Sequence, residues 1–147
     1  MTTMNKNKGI SLFTVSFKQG FISPKIPIAT FYQGDKELTL LLDTGSDKNV
    51  IDANALNQFV HRMHEEDEDP TTHLSGVGGT QKVSVCTLEF KCGDETYTED
   101  FLVTDLKQAF DLIKKDHCIT LHGILGSDFL RRNDVVLDFK NLAAYNK

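Results

Sequence analysis

Leu40-Leu41-Leu42-Asp43-Thr44-Gly45-Ser46 is the stretch on which the reading of this chain turns. The three leucines read as a buried strand, and the aspartate that ends it is followed by turn-forming residues. Gly45 is expected to let the backbone turn tightly, so that the Asp43 carboxylate is presented at the tip. In a chain of 147 residues an Asp-Thr-Gly triplet arises by accident at roughly the few-per-cent level. Alone, it equally suits an ordinary strand end in which Asp43 caps its own loop and Thr44 bonds backbone.

The chemistry available to such an aspartate is specific. Attack of water on a peptide needs a base to take its proton and an acid to protonate the carbonyl oxygen. Two close carboxylates sharing one proton supply both. This chain carries the turn once, so a second carboxylate has to come from elsewhere.

Around the turn the chain reads as antiparallel sheet. Leu12 to Phe17, Ile26 to Tyr32 and Leu38 to Leu42 are β-rich runs, with Gly34-Asp35 as a hairpin turn between the last two. Asp52 is expected to cap a helix from about Ala53 to His64, where Leu56, Phe59, Val60 and Met63 recur at helical spacing. The acidic stretch that ends at Asp69-Pro70 breaks it. Val83, Val85, Thr87 and Glu89 alternate toward a turn at Cys92-Gly93-Asp94, and a strand from Tyr97 to Val103 follows, so two successive hairpins are expected. Thr104 is the expected cap of a second helix, Asp105 to Lys115, with Leu106, Ala109, Phe110 and Ile113 on its apolar face. Next comes a buried strand turning into a short helix at His122-Gly-Ile-Leu-Gly-Ser-Asp-Phe-Leu, and Val135 to Phe139 is expected to be the last strand.

Two further segments give the triplet a context. Ile124-Leu125-Gly126, ahead of Ser127-Asp128-Phe129-Leu130, offers a brace behind the turn. The glycine-rich Gly76-Val77-Gly78-Gly79 suits a mobile hairpin tip able to open over a bound peptide and then exclude water.

Taken in order, Leu-Leu-Asp-Thr-Gly-Ser, Gly-Val-Gly-Gly and Gly-Ile-Leu-Gly-Ser-Asp-Phe-Leu resemble the retropepsin-like aspartic proteases over about Thr39 to Phe139. The resemblance implies an all-β closed barrel with a flap hairpin, here with two short helices added, working as a homodimer with its site on the two-fold axis. It implies that Asp43 is the catalytic aspartate, that Thr44 locks the two Asp-Thr-Gly loops together, and that Gly45 approaches substrate backbone. Ser46, Asp47 and Lys48 would line the substrate site, with Lys48 favouring acidic side chains. Val77, Gly78 and Gly79 would form the flap tip, and Ile124, Leu125 and Gly126 the buried support. Asp128 stands where retroviral members carry an arginine-containing segment, so an intrachain brace of that type is expected to be missing.

Composition narrows the remaining classes. The size is that of one domain, residues 1–147 with a core of about 10–140. A net charge of −5 with scattered Lys and Arg argues against nucleic acid as a partner. No segment resembles a signal core or a membrane-length apolar run, which points to the cytoplasm and no membrane. Cys86, Cys92 and Cys118 are odd in number and lack C-x-x-C spacing, so they read as buried or idle thiols. His61 and His64 beside Glu65 to Asp69 match no metal signature, and neither metal nor cofactor is expected. Met1 to Gly20 reads either as a mature strand or as a piece removed by self-processing.

The expected activity is aspartic endopeptidase, with a peptide or polypeptide substrate. The competing readings are a peptide-binding or dimerisation module that keeps this fold without cutting, and a structural barrel whose triplet is a coincidence.

Overall fold

The computed structural model describes residues 12–65, 73–76 and 79–146. Strand β1 is Thr14–Ser16, followed by α1 at Lys18–Ile22, β2 at Ile28–Gln33, β3 at Lys36–Asp43 and β4 at Val50–Asp52. A single 3-10 turn at Leu56–Gln58 leads to β5, His61–Met63. The hairpin β6, His73–Gly76, and β7, Gly79–Lys82, precedes the long pair β8, Ser84–Cys92, and β9, Glu95–Thr104. Helix α2 at Lys107–His117, β10 at Gly123–Gly126, α3 at Ser127–Arg132, β11 at Val136–Asp138 and β12 at Ala143–Tyr145 complete the order.

The main sheet runs β9-β4-β10-β3-β2-β8, and β8 pairs back onto β9, so these strands close into a barrel with β5 added outside β8. This is the all-β closed barrel expected from the sequence. Two of its pairings are parallel, β3 with β10 and β4 with β9, while β10 is antiparallel to β4. The parallel pairs draw chain segments far apart in sequence onto one barrel wall. A second sheet, β11-β12-β1, lies at the chain ends.

Aromatic rings fill the barrel. Phe13, Phe31, Phe90, Tyr97 and Phe129 are all buried, with Phe13 centred 5.7 Å from Phe129 and 5.9 Å from Phe31. Each such pair contributes about 0.5–1.5 kcal/mol beyond its buried area. Ile28, Phe110, Ile119 and Leu121 form a smaller cluster that seats α2 against the outside of the barrel.

The segment after Asp52 departs from expectation. The spacing of Leu56, Phe59, Val60 and Met63 predicts a helix, yet only the 3-10 turn forms and β5 follows. Leu56 and Phe59 are buried, but Val60 is 82% exposed and Met63 42% exposed, so the four do not share an inward face. Extended backbone is stabilised instead. His61, Arg62 and Met63 pair with Leu88, Thr87 and Cys86, and the Gln33 side chain bonds both the N–H and the carbonyl of Val60.

The Asp52 carboxylate, buried, accepts from Asn54 and from the N–H of Leu106 at 3.0 Å, so it ties the chain after β4 to the entry of α2. That helix starts two residues later than expected. Asp105 rather than Thr104 accepts the N–H of Lys107, and Ala109 stays exposed while Phe110 is buried. Helix α1 was not foreseen. Nor is Val135 to Phe139 the last strand: Asp138 accepts the N–H groups of Lys140 and Asn141, and the turn it closes brings β12 back alongside β11.

His122 joins the wall next to β10. Its Nδ1 accepts the Thr39 N–H at 2.9 Å, a bond that needs this ring nitrogen unprotonated, and the main-chain N–H of His122 donates to the Thr39 carbonyl at 2.8 Å. Desolvation pulls its pKa below the ordinary 6.5, partly opposed by the carboxylates of Glu37 and Asp52. The unfolded chain therefore takes up this proton more readily than the folded one, and stability from this group falls as pH drops through about 6.5. Urea unfolding at pH 7 and pH 5 is expected to show a larger loss in wild type than in His122→Asn, whose amide oxygen accepts the same bond without titrating; equal losses would contradict this assignment.

Candidate active site

Asp43 is the last residue of β3 and lies opposite Gly126, the last residue of β10, in parallel register. The chain turns immediately. Ser46 N–H donates to the Asp43 carbonyl at 3.2 Å, and Gly45 N–H donates to Asp43 Oδ1 at 2.8 Å, which fixes one carboxylate oxygen. Asp43 is half-buried, while Thr44 and Gly45 are exposed. Gly45 is not in the left-handed region, and a Cβ there would meet only Asp43 Oδ1 at 3.1 Å. Glycine thus serves here by leaving room beside the carboxylate, rather than by a special backbone angle.

Behind the turn the packing is main chain on main chain. Ser127 N–H donates to the Ser46 carbonyl at 2.7 Å and Asp128 N–H to the Asp47 carbonyl at 3.0 Å, so the start of α3 is stitched to the loop. A Cβ at Gly126 would lie 2.4 Å from the Lys48 carbonyl oxygen and 2.7 Å from that of Ser46. Its φ of −91° suits any residue, so space alone demands glycine. Leu125 is fully buried in the barrel core, and Ile124 packs with the cluster under α2. Asp43 to Lys48 and Ile124 to Gly126 therefore form one assembly.

Asn49 is part of it and was not singled out from sequence. Buried, it accepts the Gly126 N–H on Oδ1 at 3.0 Å and donates from Nδ2 to the Asp100 carbonyl at 3.1 Å, linking the turn to both β10 and β9. The available signal was a polar residue directly before the apolar Val50-Ile51.

Lys48 pairs with Asp128 at 3.2 Å. An intrachain brace across the loop and α3 is therefore present, with the base on the loop and the acid on the helix, although a brace of arginine type was expected to be absent. Both side chains are about half exposed, 57% and 43%, which limits the pair to about 1 kcal/mol or less. Val77 and Gly78 lie outside the described residues, and Gly79 opens β7, where its backbone pairs with Gly76.

Cys86 and Cys92 are buried thiols. Burial, and secondarily the Asp100 carboxylate, pushes the Cys86 thiol up to about 11, and burial raises Cys92 as well. Cys118 is exposed, at the end of α2 in a left-handed conformation.

A model of the aspartyl protease family matches residues 29–129 of this chain, a span from β2 to α3 that holds the whole assembly. The chain belongs to that family. Its fold is that of the retropepsin-like aspartic proteases: the EIAV protease in complex with the inhibitor HBY-793 superposes with a TM-score of 0.50 at 23% identity, covering 74% of this chain and 88% of that one. No curated protein matches. Among the described residues, no helix is long and apolar enough to cross a membrane.

Replacing Gly126 by alanine forces a methyl group into two carbonyl oxygens of the Asp43 loop, neither of which is a flexible side-chain end. Overpacking of this kind costs about 1–3 kcal/mol. Gly126→Ala is expected to lower the urea unfolding free energy by that amount and to weaken any activity of the loop; a variant as stable as wild type would show that the contact yields freely.

Proposed function

We propose that this protein is an aspartic endopeptidase in which Asp43 and its copy from a second chain hold and activate one water molecule. The observation that carries the reading is the exposed Thr44-Gly45 tip beside a half-buried carboxylate, one oxygen of which is already held by the Gly45 N–H. Everything behind that tip is packed. An aspartate serving only to close its own loop would not need a supporting glycine against which two carbonyl oxygens are packed, nor a buried asparagine to bridge two strands behind it.

In the proposed reaction one carboxylate is ionised and takes a proton from water, while the other is protonated and donates to the peptide carbonyl oxygen. The tetrahedral intermediate then collapses as the amide nitrogen is protonated and leaves. No covalent bond to the protein forms. Thr44 of each copy would lock the paired turns, and Gly45 would let the substrate backbone come close. The peptide would lie extended between this floor and the β6–β7 hairpin, whose tip at Val77, Gly78 and Gly79 would serve as the flap. Backbone hydrogen bonds would supply affinity, and alternate pockets along the strand specificity. Ser46, Asp47 and Lys48 would line one of them.

Asp43→Asn keeps the size and the Oδ1 acceptor but removes the base and the shared proton. Cleavage of an unstructured polypeptide between about pH 4 and 7 is expected to disappear, with the circular dichroism spectrum and melting profile of the wild type retained. Residual cleavage close to the wild-type rate would sink the assignment.

A further inference from the structure

We propose that the cavity between α2 and the strand ends at Asp52 and His122 binds a small zwitterion, a free α-amino acid with an apolar side chain. None of its lining residues belongs to the Asp43 loop, and its occupancy does not depend on whether the chain cleaves peptides.

Among the described residues four polar side chains are buried, those of Thr39, Asn49, Asp52 and His122. Two of them are satisfied. Thr39 shares a hydroxyl bond with Thr30, and both ends of the Asn49 amide are taken. Asp52 and His122, 6% and 8% exposed, each keep one polar atom without a partner among the described residues, and both line the same cavity of about 330 Å³. On Asp52 every bond goes to Oδ1, from Asn54 and from the Leu106 N–H, which leaves Oδ2 as a free acceptor. On His122 Nδ1 accepts from Thr39, so Nε2 carries the ring hydrogen and is a free donor. Buried polar atoms are ordinarily paired. A free acceptor and a free donor at one cavity point to a ligand that meets both.

The rest of the wall sets the class of that ligand. Lys107, Asp111 and Lys114 of α2 also line the cavity. Lys107 is paired with Asp111 at 2.6 Å, whereas Lys114 donates to the Thr120 hydroxyl at 3.1 Å and has no carboxylate partner among the described residues. An ammonium has three donors, so two of them stay open on Lys114. The charges left over are one buried anion, Asp52, and one exposed cation, Lys114. Between them lie the buried apolar residues Ala55, Phe110 and Leu121. A simple cation would leave Lys114 and the His122 ring N–H unmatched, and a simple anion would face Asp52. An α-amino acid answers each group: its ammonium bonds Asp52 Oδ2, its carboxylate accepts from His122 Nε2 and Lys114, and its apolar side chain lies on Phe110 and Leu121. A cavity of this volume is at the small end of ligand sites, which suits a molecule of that size.

Calorimetric titration of the full chain with L-leucine, with leucinamide, which lacks the anion, and with N-acetyl-leucine, which lacks the cation, reads the two charges separately. The wild type is expected to bind leucine with a Kd of about 1 mM or tighter, and about tenfold or more better than either analogue. At ten times that Kd its melting temperature is expected to rise by about 3–5 °C. Asp52→Asn keeps the Oδ1 acceptor for Asn54 and Leu106 but replaces the free acceptor by a donor, and it is expected to erase the preference over N-acetyl-leucine. Lys114→Gln, at an exposed position, is expected to erase the preference over leucinamide. No binding of leucine at about 10 mM overturns the site, and so does equal binding of all three compounds or a preference that both variants keep. If Asp52→Asn fails to fold, Lys114→Gln and the three compounds decide the matter alone.

Discussion

Where β10 ends, the chain passes so close to the loop of Asp43 that a single added carbon would overlap two carbonyl oxygens. That closeness is possible because β3 and β10 run parallel in register, Gly126 against Asp43, and because Ser127 and Asp128 donate their N–H groups to the same loop. In the proposed reaction the Asp43 carboxylate has to be held at its working position. Here main-chain packing supplies the rigidity, which is harder to disturb than a side-chain contact.

Buried polar groups extend that rigidity outward. Asn49 spans β10 and β9, His122 spans β3 and β10, and Asp52 ties the end of β4 to the entry of α2. Each is buried and each is hydrogen-bonded, as buried polar groups must be to avoid a large desolvation cost. The apolar interior sets how compact the barrel is, but these three fix which strand lies beside which. Register is where a barrel most easily goes wrong, since a slip of one residue turns every side chain to the opposite face.

Much of this was readable from residues alone, for reasons that can be named. Leu40 to Leu42 and the alternation from Val83 onward are strong strand signals, and Gly34 and Gly93 take the left-handed turns that only glycine accepts readily. Gly126 was legible because packing leaves no room for a side chain there. The segment from Ala53 to His64 was misread because apolar spacing reports a helix only if one face is buried, and the Val60 main chain is held by the side chain of Gln33, distant in sequence. Helix α1 and β12 were missed because five- and three-residue elements carry too little pattern of their own. Asn49 was passed over because its two bonding partners lie 51 and 77 residues away.

The first described strand has a consequence for how this chain can be shortened. Phe13 and Phe17 have no exposed surface, and the Phe13 ring touches Phe31, Tyr97 and Phe129 at once. Phe13 N–H is also anchored to the Asn146 side chain, so the two ends of the described chain close on each other. A maturation cut ahead of Leu12 keeps both of these rings and the Asn146 anchor. One placed beyond Phe13 takes a ring out of the centre of the molecule, so the boundary of any removable leader is drawn by the core rather than by the active site.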